Sequence, residues 1–238
     1  MESLSDIVIS FIVSNQSSLA GLPTILRRYL ESAAKCFMLV SNDGLELEHV
    51  PEDLKRREIC LAAVTNNGLA LEYVPDAKLD REICLAAVTN NGGALSYVPY
   101  VLRTNDLCLT AVSNNGNALL YVPDILRKEK MCLTAVSECG YALHGVPVNL
   151  RTKELCLAAV SRFGCAIFHV PIGLRSKELC LAAISDTGYA LRGVPIEFKT
   201  EELCLMAVSN HRGAIQYVTD ELKTTCEMYL ATGNKLFH

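Results

Sequence analysis

The feature that most constrains this chain is an unbroken period of 24 residues. Cys36, Cys60, Cys84, Cys108, Cys132, Cys156, Cys180 and Cys204 stand at that interval, with no insertion or deletion between them. Gly44, Gly68, Gly92, Gly116, Gly140, Gly164 and Gly188 keep it too, as do Pro51, Pro75, Pro99, Pro123, Pro147, Pro171 and Pro195. A fixed period of this length is the signature of stacked supersecondary units, none of which can bury its apolar face alone. The 238 residues therefore read as one continuous array.

Two helical pieces are expected within one copy, residues 153–171. The first begins near Lys153: Thr104, Thr152, Ser176 and Thr200 occupy an N-cap position in successive copies. Glu154, Glu178 and Glu202 follow in the first turn, where the helix dipole favours negative charge. Leu155 with Ala159, and Cys156 with Val160, are four apart and share a face. The glycine then ends this helix, on the reading that a left-handed cap costs it no Cβ strain. A second helix of about two turns is expected to bury Ala166, Ile167 and Val170, and Pro171 stops it by excluding helical dihedrals from the residue before it. The connector x-x-Leu-Arg returns its leucine, as at Leu126, Leu150 or Leu174, to the core. A leucine-rich repeat has a similar period but needs an alternating strand, and Cys-Leu-Ala-Ala-Val-Ser does not alternate.

The predicted fold is thus all-α, an α-solenoid of about eight 24-residue helix-pair repeats over 36–218. A degenerate repeat or cap occupies 1–35, where Val13-Ser14-Asn15 and Leu22-Pro23-Thr24-Ile25-Leu26-Arg27 echo the later copies. A capping helix from Glu221 to Ala231, ended by Gly233, and a short tail fill 219–238. Terminal copies of an array are expected to be atypical because one face meets water.

A net charge of −4 makes no electrostatic case for nucleic acid. Glu2 and Asp6 precede only a short apolar run, Ile7 to Val13, so neither a secretory signal nor a membrane span is expected. Of the 11 cysteines, the periodic ones recur at one equivalent place. Packed helices lie roughly 8–10 Å apart, beyond the reach of a disulfide at about 7 Å. These thiols read as reduced, small hydrophobes of a reducing, cytoplasmic compartment, and no cofactor is expected.

Comparing the copies with one another separates frame from surface. Variation concentrates at the two residues before the glycine, the one after it, and two positions on the second helix. Those positions suggest a partner-binding face made by Tyr73, Tyr97, Tyr121, Arg162, Phe163, Phe168, His169, Arg192 and Tyr217, since tyrosine and arginine are enriched at interfaces. The competing reading packs the tyrosines between layers with their hydroxyls wet. A basic ladder, Lys55, Arg103, Arg127, Arg151, Arg175, Lys199 and Lys223, suggests either an acidic partner or ion pairing with Glu58, Asp106, Glu154, Glu178 and Glu202 three residues further on. Cys139, His144, Cys165 and His169 form the one cluster with the chemistry of a tetrahedral zinc site or a cysteine nucleophile. No phosphate-cradling glycine loop, Gly-x-Ser-x-Gly or His-Glu-x-x-His supports catalysis. The favoured function is a non-catalytic protein-interaction scaffold, with zinc- or cysteine-dependent chemistry at that cluster as the alternative.

The recurring pattern Glu-x-x-Leu-x-Ala-Val-x-x-Asn-Gly-x-Ala-Leu-x-Tyr, followed by x-x-Leu-Arg, resembles the helical repeats of the domain of unknown function (DUF4116) family over roughly 36–222. The chain departs from that family in having Val-Pro where Ala-Ser is more usual, and cysteine at an aliphatic position. The resemblance implies an effector-type binding protein of an intracellular bacterial pathogen, acting in the host cytosol on a host protein. It carries over no functional residue.

Overall fold

A computed structural model describes residues 23–232; the expectations for the N-terminal echoes before Pro23 and for Gly233 and the tail lie outside the described residues. The fold is an all-α repeat solenoid, and no strand occurs among the described residues. Its α-helices are α1 Thr24–Asn42, α2 Arg57–Asn66, α3 Arg81–Asn90, α4 Asn105–Asn114, α5 Glu129–Glu138, α6 Lys153–Arg162, α7 Lys177–Asp186, α8 Glu201–Asn210 and α9 Asp220–Thr232. No described helix is long and apolar enough to cross a membrane. The chain divides into two compact units between Asn114 and Asn115.

In the first unit α1 to α4 pack each on the next; in the second, α5 to α9 do the same. The hydroxyls of Thr152, Ser176 and Thr200 accept the backbone N–H groups of Leu155, Leu179 and Leu203, so these three predicted caps form. Leu155, Cys156, Ala159 and Val160 are buried, as are their counterparts in the neighbouring copies. Each buried aliphatic side chain contributes on the order of 1.5–3 kcal/mol.

The second piece differs from the expectation. It is a six-residue 3₁₀ helix, Gly164–His169 in the reference copy, followed after Pro171 by a three-residue 3₁₀ turn, Ile172–Leu174. Ala166, Ile167 and Val170 are buried as predicted. However, Gly164, Ile167 and Val170 repeat every third residue, the spacing that eclipses side chains on a 3₁₀ helix.

The role of the glycine also differs. Each of α1 to α8 is left by one extended residue, such as Phe163 with φ −152° and ψ 99°, and Gly164 does not adopt a left-handed backbone. What demands glycine is the next layer. A Cβ on Gly164 would lie 2.4 Å from the Ala183 carbonyl oxygen, and at Gly44, Gly68, Gly116, Gly140 and Gly188 the matching distance to the alanine of the following copy is 2.0–2.3 Å. The ladder slot in the last copy is Arg212, where no further 24-residue repeat stacks above.

The residue two before the glycine, read from sequence as variable surface, is a clamp between layers. Asn90 accepts the Gly68 N–H at 2.7 Å and donates to the Thr65 carbonyl at 2.9 Å. Asn66 and Asn114 repeat both bonds, to Gly44 with Ser41 and to Gly92 with Thr89. Asp186 accepts the Gly164 N–H at 2.7 Å.

From Arg103 to Lys199 the basic ladder is structural as well, mainly through backbone carbonyls rather than the carboxylates expected three residues further on, while Lys55 pairs with Glu52 and Arg127 also with Asp124. Arg175 donates to Val170 O at 3.0 Å in its own copy and to Gly193 O at 2.7 Å in the next. Arg151 bonds Val146 O and His169 O likewise, and Lys199 bonds Tyr217 O at 2.7 Å. The inter-repeat ion pairs start instead at the helix N-termini, from Arg57 to Asp80 and Glu82, Arg81 to Asp106, and Lys153 to Glu178. The connector leucines Leu126, Leu150 and Leu174 are only half-buried, while the connectors expose Val101, Ile125, Val148, Ile172 and Ile196.

Candidate functional site

The 3₁₀ helices stack on one another within each unit, so residues 24 apart form columns. In the first unit, asparagines hold the start of these helices: Asn67 and Asn91 accept the N–H two residues on, from Leu69 and Gly93. Asp43 does the same for Leu45. In the second unit Asn115 still does so, but the equivalent positions become Cys139, Phe163, Thr187 and His211, none of which makes a side-chain cap bond. A local stabilising bond is given up there, and aromatic side chains gather on the adjacent columns.

Tyr141 is the centre of the first group. Its ring lies 6.0 Å from that of His144, 6.1 Å from Phe163 and 5.7 Å from His169, the last two edge-on. His144 and His169 are 4.7 Å apart by ring centroid. A second group joins Phe168 to Tyr189 at 5.9 Å and Tyr189 to Tyr217 at 5.5 Å, both edge-on, the geometry that the ring quadrupole favours. The Arg192 guanidinium lies 5.9 Å from the Phe168 ring centre and donates to the Tyr189 hydroxyl at 3.2 Å. Hydrogen bonds from Tyr217 and Arg192 hold the Tyr189 phenol below its ordinary pKa. Tyr141 and Phe163 keep about two-fifths of their surface exposed.

The columns show how room is made. Where one column carries tyrosine, Tyr141 or Tyr189, the position four residues on is Gly145 or Gly193. Where that position carries a ring, His169 or Tyr217, the first column shrinks to Cys165 or Gly213. Each tyrosine then meets the ring of the next copy. A Cβ on Gly193 would come within 2.9 Å of Ile167 Cγ2. This large-small alternation over four copies was legible in the sequence and would have added Tyr141 and Tyr189 to the predicted face.

Of the predicted face, Phe163 and His169 fall in the first group, and Phe168, Arg192 and Tyr217 in the second. Arg162 lies at the edge, its Nε donating to Glu138 O at 3.0 Å, in the slot where asparagine clamps other layers. Tyr121 belongs to the second unit and is exposed; Tyr73 and Tyr97 belong to the first. The Glu48 carboxylate, to which the Tyr73 hydroxyl donates, holds that phenol above its usual range, with desolvation and Glu72 adding.

Of the proposed zinc or nucleophile cluster, the structure joins His144 to His169 but does not complete a ligand set. Among the described residues no three His, Cys, Asp or Glu side chains converge as a metal site. Cys139 is the extended residue leaving α5, and Cys165 occupies the column of Tyr141 and Tyr189. Burial, the neighbouring His144 and the Arg151 guanidinium push His169 below its ordinary pKa, which keeps the imidazole neutral. The seven periodic thiols from Cys60 to Cys204 are fully buried. Burial pushes Cys60, Cys84, Cys108, Cys180 and Cys204 up to about 11, so they are poor nucleophiles. A groove beside His144 runs along Val146, Pro147 and Val148, with Arg127 and Arg151 among its walls.

No curated protein and no solved structure matches the chain. A family model does, at residues 36–77, 80–127 and 176–223, which together cover more than half of it. The chain therefore belongs to the family described as domain of unknown function (DUF4116).

Proposed function

We propose that this protein is a non-catalytic interaction scaffold, and that the stacked 3₁₀ helices of its second unit grip a protein partner. The observation that carries the reading is the substitution of capping asparagines by Phe163 and its neighbours, next to two partly exposed ring groups and Arg192. Aromatic and arginine side chains held rigid by one another lose little entropy on binding and dominate interface energetics. Tyr121 extends such a face within the second unit, Tyr73 and Tyr97 stand at the equivalent column position of the first, and Arg162 flanks it. The resemblance of its repeats to those of effectors supports a host protein as the partner, met in a reducing host cytosol where the periodic thiols stay reduced.

The test is affinity capture from host-cell lysate with the wild-type chain and with the double variant Tyr141→Ala, Phe163→Ala. A captured protein whose affinity falls at least about 30-fold in the variant supports the reading, because a central aromatic anchor is worth about 2 kcal/mol or more. Equal capture by both overturns it.

A further inference from the structure

The same columns carry opposite charge in the two units. In the first unit the segments 42–49, 66–73 and 90–97 hold Asp43, Glu46, Glu48 and Glu72 with one histidine, His49, and neither lysine nor arginine. Asp43, Glu48 and Glu72 are exposed. In the second unit the equivalent segments 138–145, 162–169, 186–193 and 210–217 hold Arg162, Arg192 and Arg212, with His144, His169 and His211, against only Glu138 and Asp186. Asp186 accepts the Gly164 N–H, as Asp43 accepts that of Leu45. All three arginines are exposed.

We infer that a second copy of this chain docks head to tail, the acidic columns of one copy's first unit on the basic and aromatic columns of the other's second unit. This rests on the interaction face proposed above and adds a second copy of the chain to the partners that face takes. Charge complementarity is one argument, since opposed potentials steer association and set register. Pitch is the other: both faces are the same positions of the same repeat, so their side chains recur at the same layer spacing, about 8–10 Å. Glu48 and Glu72 occupy the column that carries His144 and Arg192 in the second unit. Such a contact joins two different faces, the first-unit face of one copy and the second-unit face of the other.

Sedimentation velocity on the full chain tests it, over a concentration series at about 50 mM and about 500 mM salt, where screening shortens the reach of charge from over 10 Å to about 4 Å. The expected result is a mass that rises above 26.0 kDa with concentration at low salt and returns to it at high salt. Two variants, Arg162→Glu with Arg192→Glu and Glu48→Lys with Glu72→Lys, should each remain monomeric, with far-ultraviolet circular dichroism confirming that they fold. Mixed at equal amounts they should associate again, since each retains one native face and the two reversed faces are also of opposite charge. A wild-type chain that stays at 26.0 kDa throughout, or an association that survives both salt and the charge reversals, overturns the inference. A wild-type monomer that still captures a lysate protein through Phe163 leaves the scaffold reading standing, so the two failures are distinguishable.

Discussion

Replacing Gly164 by alanine tests why the glycine ladder exists. The new Cβ would stand 2.4 Å from the Ala183 carbonyl oxygen, about 1 Å inside ordinary contact, and 3.0–3.1 Å from the Asp186 side chain that accepts the Gly164 N–H. The obstructing atom is backbone within α7 and cannot rotate away, so the two layers must separate. Overpacking of this kind costs about 1–3 kcal/mol, against a gain of about 0.4–1 kcal/mol from stiffening the unfolded chain. The net loss is about 1–2 kcal/mol, which in a chain of this size lowers Tm by roughly 2–8 °C. Two further variants separate the causes. Gly173→Ala, where a Cβ meets nothing within 4 Å and the backbone is not left-handed, should leave Tm unchanged or raise it slightly. Gly164→Asn should be worse than Gly164→Ala if close approach is the reason, and better if a left-handed cap were. Differential scanning calorimetry reads all three; a Gly164→Ala protein as stable as wild type, or asparagine outperforming alanine, refutes the packing argument.

Arg175→Met should lower stability by about 1.5–3 kcal/mol in urea titration, since it removes charged donors from the Val170 and Gly193 carbonyls. Arg175→Lys should recover part of that, because Lys199 serves Tyr217 O with a single ammonium; equal stability of all three would discount the carbonyl lock. Because His169 has a pKa below the unfolded value of about 6.5, the unfolded chain takes up the proton first as pH falls through that value. Stability present above about pH 6.5 should therefore decline below it, and His169→Gln should flatten the fall in Tm between pH 7.5 and 5.5; parallel curves would contradict this. N-ethylmaleimide on the native protein, read by peptide mass spectrometry, should label the partly exposed Cys139, Cys165 and Cys36. It should reach the buried thiols from Cys60 to Cys204, and Cys226, only after urea. Rapid native labelling of the ladder would show that the layers open.

Much of the frame was written in the spacing of single residue types. The interval of the cysteines, glycines and prolines determined repeat length, helix-pair organisation and the buried set, because stacking identical units fills the same positions with the same volumes. Thr152, Ser176 and Thr200 marked the helix starts because an N-cap is a local bond. Contacts between copies were not legible in this way. A glycine looks the same in sequence whether it serves a left-handed turn or yields to a carbonyl 19 residues later, and only the stacked layers distinguish the two. Likewise Asn90 resembles a solvated helix end until its partners, Gly68 and Thr65, are brought beside it from the preceding copy.

The candidate face divides along the same line. Sequence variation by itself pointed to Phe163, Phe168, His169, Arg192 and Tyr217, because positions that stray from a repeat are released from its packing. It also pointed to Arg162, which tertiary structure moves to the edge as a donor to Glu138 O, and it set Cys139 and Cys165 beside the two histidines, where they complete no ligand set. Only the stacked copies decided that Tyr141 and Tyr189 hold the rings together. Apart from His144 and Arg192, their neighbours Phe163, His169, Phe168 and Tyr217 come from adjacent copies and touch them because 24 residues return the backbone to the same column.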